Sequence, residues 1–225
     1  VTYSKKIAIL ALSLLLPAPI IGIYASLTLD SVGQIIWTVM KFWLIVMPVL
    51  WLLFIEKRKI SWSKSSMKGL IEGAFWAIPV GAVIWLLYPF CLESYVDKEG
   101  IKSQIELLGL SSSLSFWSFA LMISFGNALM EEYVWRWFVF AKCKTLAGPF
   151  LGILLAAFFF TAHHIIVIWN FGDAMIVTIG SVAIFLAGCL WCYLYQKFNS
   201  IWPGYISHVV ADLAVFGIAW QILTS

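Results

Sequence analysis

Long apolar stretches alternate with short polar ones along the whole chain. A membrane-spanning helix needs about 20 predominantly apolar residues, and seven stretches reach that length. These are residues 7–29, 35–55, 69–92, 114–141, 148–169, 174–196 and 201–223. The pattern predicts an all-α protein, a polytopic membrane helix bundle with about seven or eight transmembrane helices.

Two of the predicted spans and one loop are irregular. The first span holds Pro17 and Pro19, which remove helical hydrogen bonds, so we expect a kink or break near its middle. The fourth span is longer than a bilayer requires and is expected to tilt or to extend past the membrane. The longest polar segment, 93–112, is expected to carry a short amphipathic helix on the outer face.

Composition restricts the class of protein further. The chain has 225 residues, of which 63% are hydrophobic and 11% charged. Soluble domains are typically about 45–50% apolar and about 25% charged, so soluble and disordered classes are excluded. No polar stretch is long enough for a soluble domain, and we therefore predict a single membrane domain over residues 1–225. A net charge of +3 is too small to suggest nucleic acid as a partner.

The basic residues of the loops predict the orientation. If every span crosses, ten Lys or Arg residues fall on one side of the membrane and two on the other. Cytoplasmic loops carry the excess of positive charge. We therefore expect an integral protein of the plasma (inner) membrane with a cytoplasmic N-terminus.

Three charged residues lie inside the fourth apolar stretch. Glu131, Glu132 and Arg136 are the only charged residues between positions 113 and 141, and each costs roughly 2.5–3.5 kcal/mol near the bilayer centre. Glu132 and Arg136 are four residues apart and can form an ion pair on one helical face. Glu131 is rotated about 100° from Glu132, shares its face with Asn127, and has no charge partner in its own segment. A structural ion pair needs only one Glu, so the second favours a chemical task.

All three histidines of the chain also lie inside predicted spans. His163 and His164 are adjacent and point about 100° apart, so we expect one of them to face a shared site. His208 and Asp212 are four apart on one face, a spacing that suits a metal-ligand set or an oriented catalytic histidine. Each group, taken alone, is also compatible with a hydrogen bond between helices.

Together these groups predict water activation inside the membrane. A Glu can take a proton from water while histidines orient that water or stabilise an oxyanion. The same groups can alternatively hold Zn²⁺ through two His and a carboxylate; the candidate ligands are His164, His208, Glu131 and Asp212. Counted from the predicted helix ends at about 1.5 Å per residue, however, Glu131 lies roughly 16 Å deep, His164 roughly 24 Å and His208 roughly 10 Å.

Three motifs in order resemble a known family. EExxxR at Glu131, FxxxH at Phe160 and HxxxD at His208 are similar to the CPBP group, the CAAX-protease and bacteriocin-processing intramembrane proteases that are also called Abi proteins. The resemblance covers residues 114–223. Each motif is weak by itself; their order on successive spans makes the combination specific.

The resemblance implies peptide-bond hydrolysis in or at the edge of the membrane, on a peptide or membrane-tethered protein that can carry a lipid. It implies Glu131 as the base that activates water, Glu132 as its support and Arg136 as the group that fixes the carboxylates. The FxxxH histidine is His164, although Phe159 with His163 fits the same spacing.

The last motif implies oxyanion stabilisers or metal ligands at His208 and Asp212. Asn is frequent at the second of these positions in the family. An ionised Asp cannot donate a hydrogen bond to an oxyanion, so Asp212 shifts the interpretation toward an orienting or metal-ligand role.

Two other functions compete with a protease. A proton-coupled transporter also places Glu, His and Arg inside the membrane, and inverted repeats would favour it; the sequence shows none. A non-catalytic immunity or scaffold protein would be favoured if Glu131 or His208 were missing, and both are present. An intramembrane endopeptidase is the function that the sequence favours.

Overall fold

The computed structural model describes residues 3–59 and 63–225, and over these residues the chain is a bundle of helices. The α-helices are α1 Tyr3–Leu15, α2 Pro17–Thr28, α3 Asp30–Leu50, α4 Met67–Leu87, α5 Lys98–Leu107, α6 Ser113–Met122, α7 Ala128–Glu131, α8 Ala141–Ile168, α9 Ala174–Phe198 and α10 Trp202–Thr224. The described part contains no strand, only one isolated bridge between Val96 and Gly172. The predicted all-α membrane bundle is confirmed.

Several helices continue through wider, π-helical turns. Such segments extend α3 and α4 and lie on both sides of α7: Trp51–Ile55, Tyr88–Leu92, Ile123–Asn127 and Glu132–Phe140. As a result, α6, α7 and α8 follow one another without a loop over Ser113–Ile168, a stretch of 56 residues that we call the rod. The rod breaks at Gly148. We call its part from Ser113 to Gly148, which carries the candidate catalytic residues Glu131, Glu132 and Arg136, the catalytic helix.

Six continuous helical stretches of the described chain are long and apolar enough to cross a membrane. The longest, Ser113–Ile168, is more than twice the roughly 20 residues that one crossing needs. Gly148 breaks it with φ 80° and ψ 179°, a conformation in the left-handed half of the map that glycine adopts readily, and Pro149 begins the next helix. The rod therefore makes two crossings, and seven spans result, as predicted.

The irregular elements expected from the sequence are present. The first span breaks at Leu16, where α1 ends and Pro17 begins α2. The polar segment 93–112 contains α5, which begins at the N-cap Asp97. Its one buried residue, Ile105, packs with Phe116 of α6.

Loops predicted on one side of the membrane meet at one end of the bundle. Lys142 pairs with Glu56, and Lys197 Nζ lies 2.7 Å from Glu72 Oε1. The bridge to Gly172 joins two loops at the opposite end. The loops therefore alternate between the ends as the span count requires, while the cytoplasmic assignment of the basic end stays a prediction.

Small residues let α4 pack closely on α10. Gly69, Gly73, Ala77 and Gly81 are the buried residues of α4, spaced four apart, and stripes of small residues are the usual way for membrane helices to approach each other. A Cβ on Gly73 would lie only 2.5 Å from the carbonyl oxygen of Pro203. The first turn of α10, where the candidate site begins, is thus set by its contact with α4.

Candidate active site

Glu131, Glu132 and Arg136 are buried where the catalytic helix departs from a regular α-helix. Glu131 ends α7, and the π-helical segment Glu132–Phe140 carries Arg136. The exposed fraction is 7% for Glu131 and 0% for Glu132 and Arg136. π-helical turns inside α-helices occur frequently at functional sites, and here they flank the acidic pair on both sides.

Glu132 and Arg136 form the predicted ion pair. Arg136 Nη2 lies 3.3 Å from Glu132 Oε1, a contact between charges without hydrogen-bond geometry. The guanidinium carbon lies 4.4 Å from the ring centre of Phe160 and 5.1 Å from that of Trp191. Aromatic faces stabilise a desolvated cation, so Arg136 is held by one carboxylate and two rings.

Glu132 also orients His208. His208 Nδ1 lies 3.0 Å from Glu132 Oε1, and an N–H at that position donates to the carboxylate. The imidazole stacks on Trp191 with ring centres 4.0 Å apart. A Cβ on Gly204 would lie 2.5 Å from Glu132 Oε2, so glycine makes room for the carboxylate. Nε2 of His208 is therefore directed away from Glu132, toward Glu131.

Glu131 faces a different set of groups. Asn127 Nδ2 donates to Oε1 at 2.9 Å. His208 Nε2 lies 3.6 Å from Oε2, and His163 Nε2 lies 3.9 Å from Oε1. Oε2 makes no hydrogen bond to any described protein group. Glu131 thus keeps one oxygen with unused accepting capacity beside an oriented imidazole.

Both histidines of α8 belong to the site, and the expectation that only one of them faces it is wrong. Donor atoms of His163, His164 and Glu131 lie within 4.8 Å of one another. Adjacent side chains can reach one site because His163 stacks on Trp135 (ring centres 4.8 Å apart) while His164 Nδ1 lies 2.8 Å from the carbonyl oxygen of Phe160. Phe160 is accordingly the aromatic residue that contacts the site.

Asp212 lies at the margin of the site. Its Oδ1 is 3.7 Å from His208 Nε2, and its side chain is 24% exposed. The distance is too long for a hydrogen bond, so the interaction is electrostatic. Asp212 is thus placed to stabilise positive charge on the imidazole as it forms.

The structure explains the unequal depths expected for these residues. The catalytic helix does not end near Ala141 but continues to Gly148. Glu131 and His164 then lie almost equally far in sequence from the break, one before it and one after it, so the two arms bring them to the same depth. His208 lies at the same level, since its Nε2 is 3.6 Å from Oε2 of Glu131.

A partly open cavity of about 250 Å³ contains Glu131, His163, His164, Asn127 and the single lining cation Lys41. Its remaining walls are mostly apolar, with contributions from both halves of the chain. The other lining residues are Ala18, Pro19, Gly22, Ile23, Trp37, Met40, Leu44, Met130, Val134, Trp135 and Val167. An apolar cavity with a few convergent polar groups is the usual form of a ligand site.

The group of residues that could hold a metal differs from the set expected from the sequence. Among the described residues, Glu131, His163 and His164 form the one group whose donor atoms could hold a metal. His208 and Asp212 lie outside it. Two imidazoles and a carboxylate suit Zn²⁺. His164 keeps its Nε2 for a ligand while Nδ1 faces the Phe160 carbonyl, which is the usual orientation of a ligating histidine.

Sequence reasoning missed several residues of the site. A lysine inside a predicted span can snorkel to the membrane surface or border a cavity, and the sequence does not decide between the two; Lys41 borders the cavity and contacts Asn127. Trp135 and Trp191, which stack on imidazoles, read as ordinary membrane aromatics. Gly204 carries no local signal, since its importance comes from a helix more than 70 positions away in the chain.

Comparison with known proteins agrees with the geometry. Residues 113–214 match the family model described as Rce1-like, type II CAAX prenyl endopeptidase. Neither the curated proteins nor the solved structures gave a match. The matched segment contains the acidic pair, Arg136 and all three histidines. The match, which covers less than half of the chain, supports a relationship to the CPBP group of CAAX-type membrane proteases.

Proposed function

We propose that the chain is an intramembrane endopeptidase in which Glu131 activates the attacking water. One observation carries the proposal: Glu131 Oε2 has no hydrogen-bond partner among the described protein groups and lies 3.6 Å from His208 Nε2. A water molecule at the usual 2.6–3.2 Å from Oε2 also reaches that nitrogen. Hydrolysis requires a base that takes a proton from the water and a second group that orients the water, and these two atoms are placed for those tasks.

The reaction then needs one proton carrier. Water transfers a proton to Glu131, and its oxygen bonds to the scissile carbonyl carbon to give a tetrahedral oxyanion. The C–N bond breaks as Glu131 passes the proton to the leaving nitrogen. The base is regenerated and the two products together contain the added water. General acid–base catalysis by one positioned group contributes typically 10²–10⁴-fold.

The second carboxylate supports the first. Glu132, paired with Arg136, holds His208 by Nδ1 and so directs Nε2 to the place where the water and the developing oxyanion lie. An imidazole protonated at Nε2 can donate to that oxyanion. Asp212, 3.7 Å from the same nitrogen, favours the protonated form by its charge.

The cavity walls and the family description support a proposal for the class of substrate. The walls are largely apolar and come from α2, α3 and the two arms of the rod. They are therefore compatible with an extended peptide that carries an apolar substituent. The matched family is named for prenyl substrates. We propose a peptide or membrane-tethered protein tail as substrate, with a prenyl-bearing C-terminal peptide as the first probe.

The test is replacement of Glu131 by Gln, which keeps the side-chain shape but removes the base. With a fluorogenic farnesylated peptide in detergent micelles, we expect Glu131→Gln to lower kcat by at least ~10²-fold while the thermal unfolding midpoint stays near that of the wild type. Glu99→Gln, on exposed α5, is the control and should cleave normally. Cleavage by Glu131→Gln at the wild-type rate would remove Glu131 as the base, and pH-driven uptake into vesicles without proteolysis would instead establish a transporter.

A metal-assisted version of the same hydrolysis is the second candidate, favoured by the group of Glu131, His163 and His164. A divalent cation held there would polarise water and substrate carbonyl. Elemental analysis of purified protein decides between the versions. Stoichiometric zinc that is lost in His164→Ala would establish the metalloprotease, whereas activity that survives strong chelation in metal-free protein would establish glutamate-activated water.

A further inference from the structure

We infer that Lys41, in the N-terminal half of the chain, is a positioning residue for the catalytic base. It fixes the side-chain amide of Asn127, and Asn127 in turn holds Glu131 by one oxygen. The inference rests on the proposed role of Glu131 as base. It extends the active site beyond the segment 113–214 that matches the protease family.

Two short contacts form the relay. Lys41 Nζ donates to Asn127 Oδ1 at 2.6 Å, and Asn127 Nδ2 donates to Glu131 Oε1 at 2.9 Å. An ammonium group can only donate and a carboxylate can only accept. The amide therefore has one orientation that satisfies both neighbours, with its oxygen toward Lys41 and its NH₂ toward Glu131.

The distribution of charge around the catalytic helix explains why Glu131 needs Lys41. The Arg136 guanidinium is committed to Glu132, so it leaves Glu131 without a cation on its own helix. Among the described residues, Lys41 is the only Lys or Arg that lines the cavity. An ammonium group inside a membrane protein is energetically costly unless it pairs with other groups. Lys41 pairs with Asn127, whose amide donates to the proposed base Glu131.

The relay also decides which oxygen of Glu131 reacts. Asn127 occupies Oε1, and Oε2 is left beside His208 Nε2. Without the ammonium, the amide of Asn127 can rotate by half a turn and present its oxygen to the carboxylate, which repels it. Glu131 would then lose its fixed position relative to the water. A displacement of about 1 Å can cost roughly 10²-fold in rate.

The first test compares Lys41→Met with Lys41→Arg, using the farnesylated peptide that the wild type cleaves. Lys41→Met removes the donor and keeps the length of the side chain; we expect kcat to fall by on the order of 10²-fold with KM within about twofold. Lys41→Arg keeps a donor and should recover most of that loss. A loss that appears only in KM, or an arginine variant as poor as the methionine variant, would overturn the inference.

A matched control separates positioning from simple attachment of the N-terminal half. Lys142 pairs with Glu56 and joins the end of the second span to the catalytic helix, as Lys41 does, but lies outside the cavity lining. We expect Lys142→Met to lower the unfolding midpoint and to leave kcat of the folded fraction unchanged. An equal loss of kcat in both methionine variants would show that any lost tether reduces activity, and the positioning role would fall.

The second test changes the amide itself. Asn127→Asp has the same shape and pairs with Lys41, so attachment and stability should be kept, but it has no NH₂ to donate to Glu131. We expect it to lose as much kcat as Lys41→Met, and the double variant to be no worse than either single one. Normal activity in Asn127→Asp would show that the Lys41 contact is only structural.

The outcomes distinguish this inference from the proposed function. If Glu131→Gln is inactive and Lys41→Met is fully active, the base is correct and the positioning role of Lys41 is wrong. If Glu131→Gln is active, the base assignment itself is wrong. Loss of kcat in both, with recovery in Lys41→Arg, supports both.

Discussion

The two sides of the catalytic helix differ as sharply as any two regions of this molecule. On the closed side, Glu132 is fully buried against Arg136 and His208, with aromatic rings filling the remaining space. On the open side, Glu131 lines a cavity whose far wall is formed by α2 and α3. Adjacent acids therefore have opposite surroundings, because a helix turns about 100° per residue.

The difference shows how a membrane protein keeps a reactive acid in place. A buried charge must be paired, and on the closed side Glu132 is paired with Arg136 and accepts a hydrogen bond from His208, although the guanidinium nitrogens make no hydrogen bond to described protein groups. The open side leaves Oε2 of Glu131 without a protein partner. The contacts of Glu132 thus fix one side of the helix, while Glu131 on the other side faces the cavity.

The largest effect on stability is expected from breaking the closed side. Arg136→Met leaves Glu132 without its cation in a fully buried position, and removal of one partner from a buried pair typically costs about 3–5 kcal/mol. We expect a strongly lowered free energy of unfolding in detergent together with loss of cleavage, because His208 is held by the same carboxylate. Wild-type stability in this variant would mean that the pair does not support the site.

A smaller effect is expected from crowding the closed side. The methyl group of Gly204→Ala would lie 2.5 Å from Glu132 Oε2, and overpacking of this kind typically costs about 1–3 kcal/mol. The matched control is Gly126→Ala on the catalytic helix, where a Cβ meets nothing within 4 Å. Thermal unfolding should separate the two variants, and equal midpoints would contradict the close contact.

The smallest effect on stability is expected on the open side. Val167→Ala enlarges the cavity at a half-buried wall residue, and we expect a cost below about 1 kcal/mol, the lower part of the usual range for such changes. Cleavage should continue, with a lower KM for a probe that carries a bulkier group beside the scissile bond. If Val167→Ala lowered the free energy of unfolding as much as Arg136→Met, the two sides of the helix would not differ in their contribution to stability.

The sequence predicts the parts of this structure that depend on local pattern. Apolar length gave seven spans, prolines gave the break near Leu16, and a spacing of four gave the pair of Glu132 with Arg136. Each depends on residues that are near one another in the chain, where helical periodicity is a strong constraint.

Other parts depend on how distant helices meet. The depth of His164 was misjudged because the end of the catalytic helix was placed at 141 rather than at Gly148. The contact of Lys41 with Asn127 joins positions 86 apart, and no periodic pattern connects them. The N-terminal half, apart from Lys41 uniform in its hydrophobicity, gave no signal that it supplies a wall of the site.

The geometry of the candidate site also depends on the small residues of α4, a helix that supplies none of the site's charged groups. Gly73 fixes the separation between α4 and Pro203, and the next residue, Gly204, touches the carboxylate of Glu132. Any side chain at Gly73 would push the first turn of α10 inward or sideways and carry His208 with it. Gly73 thereby acts as a spacer for the candidate site, so a larger residue there is expected to disturb the positions of Glu132 and His208 without altering any charged group.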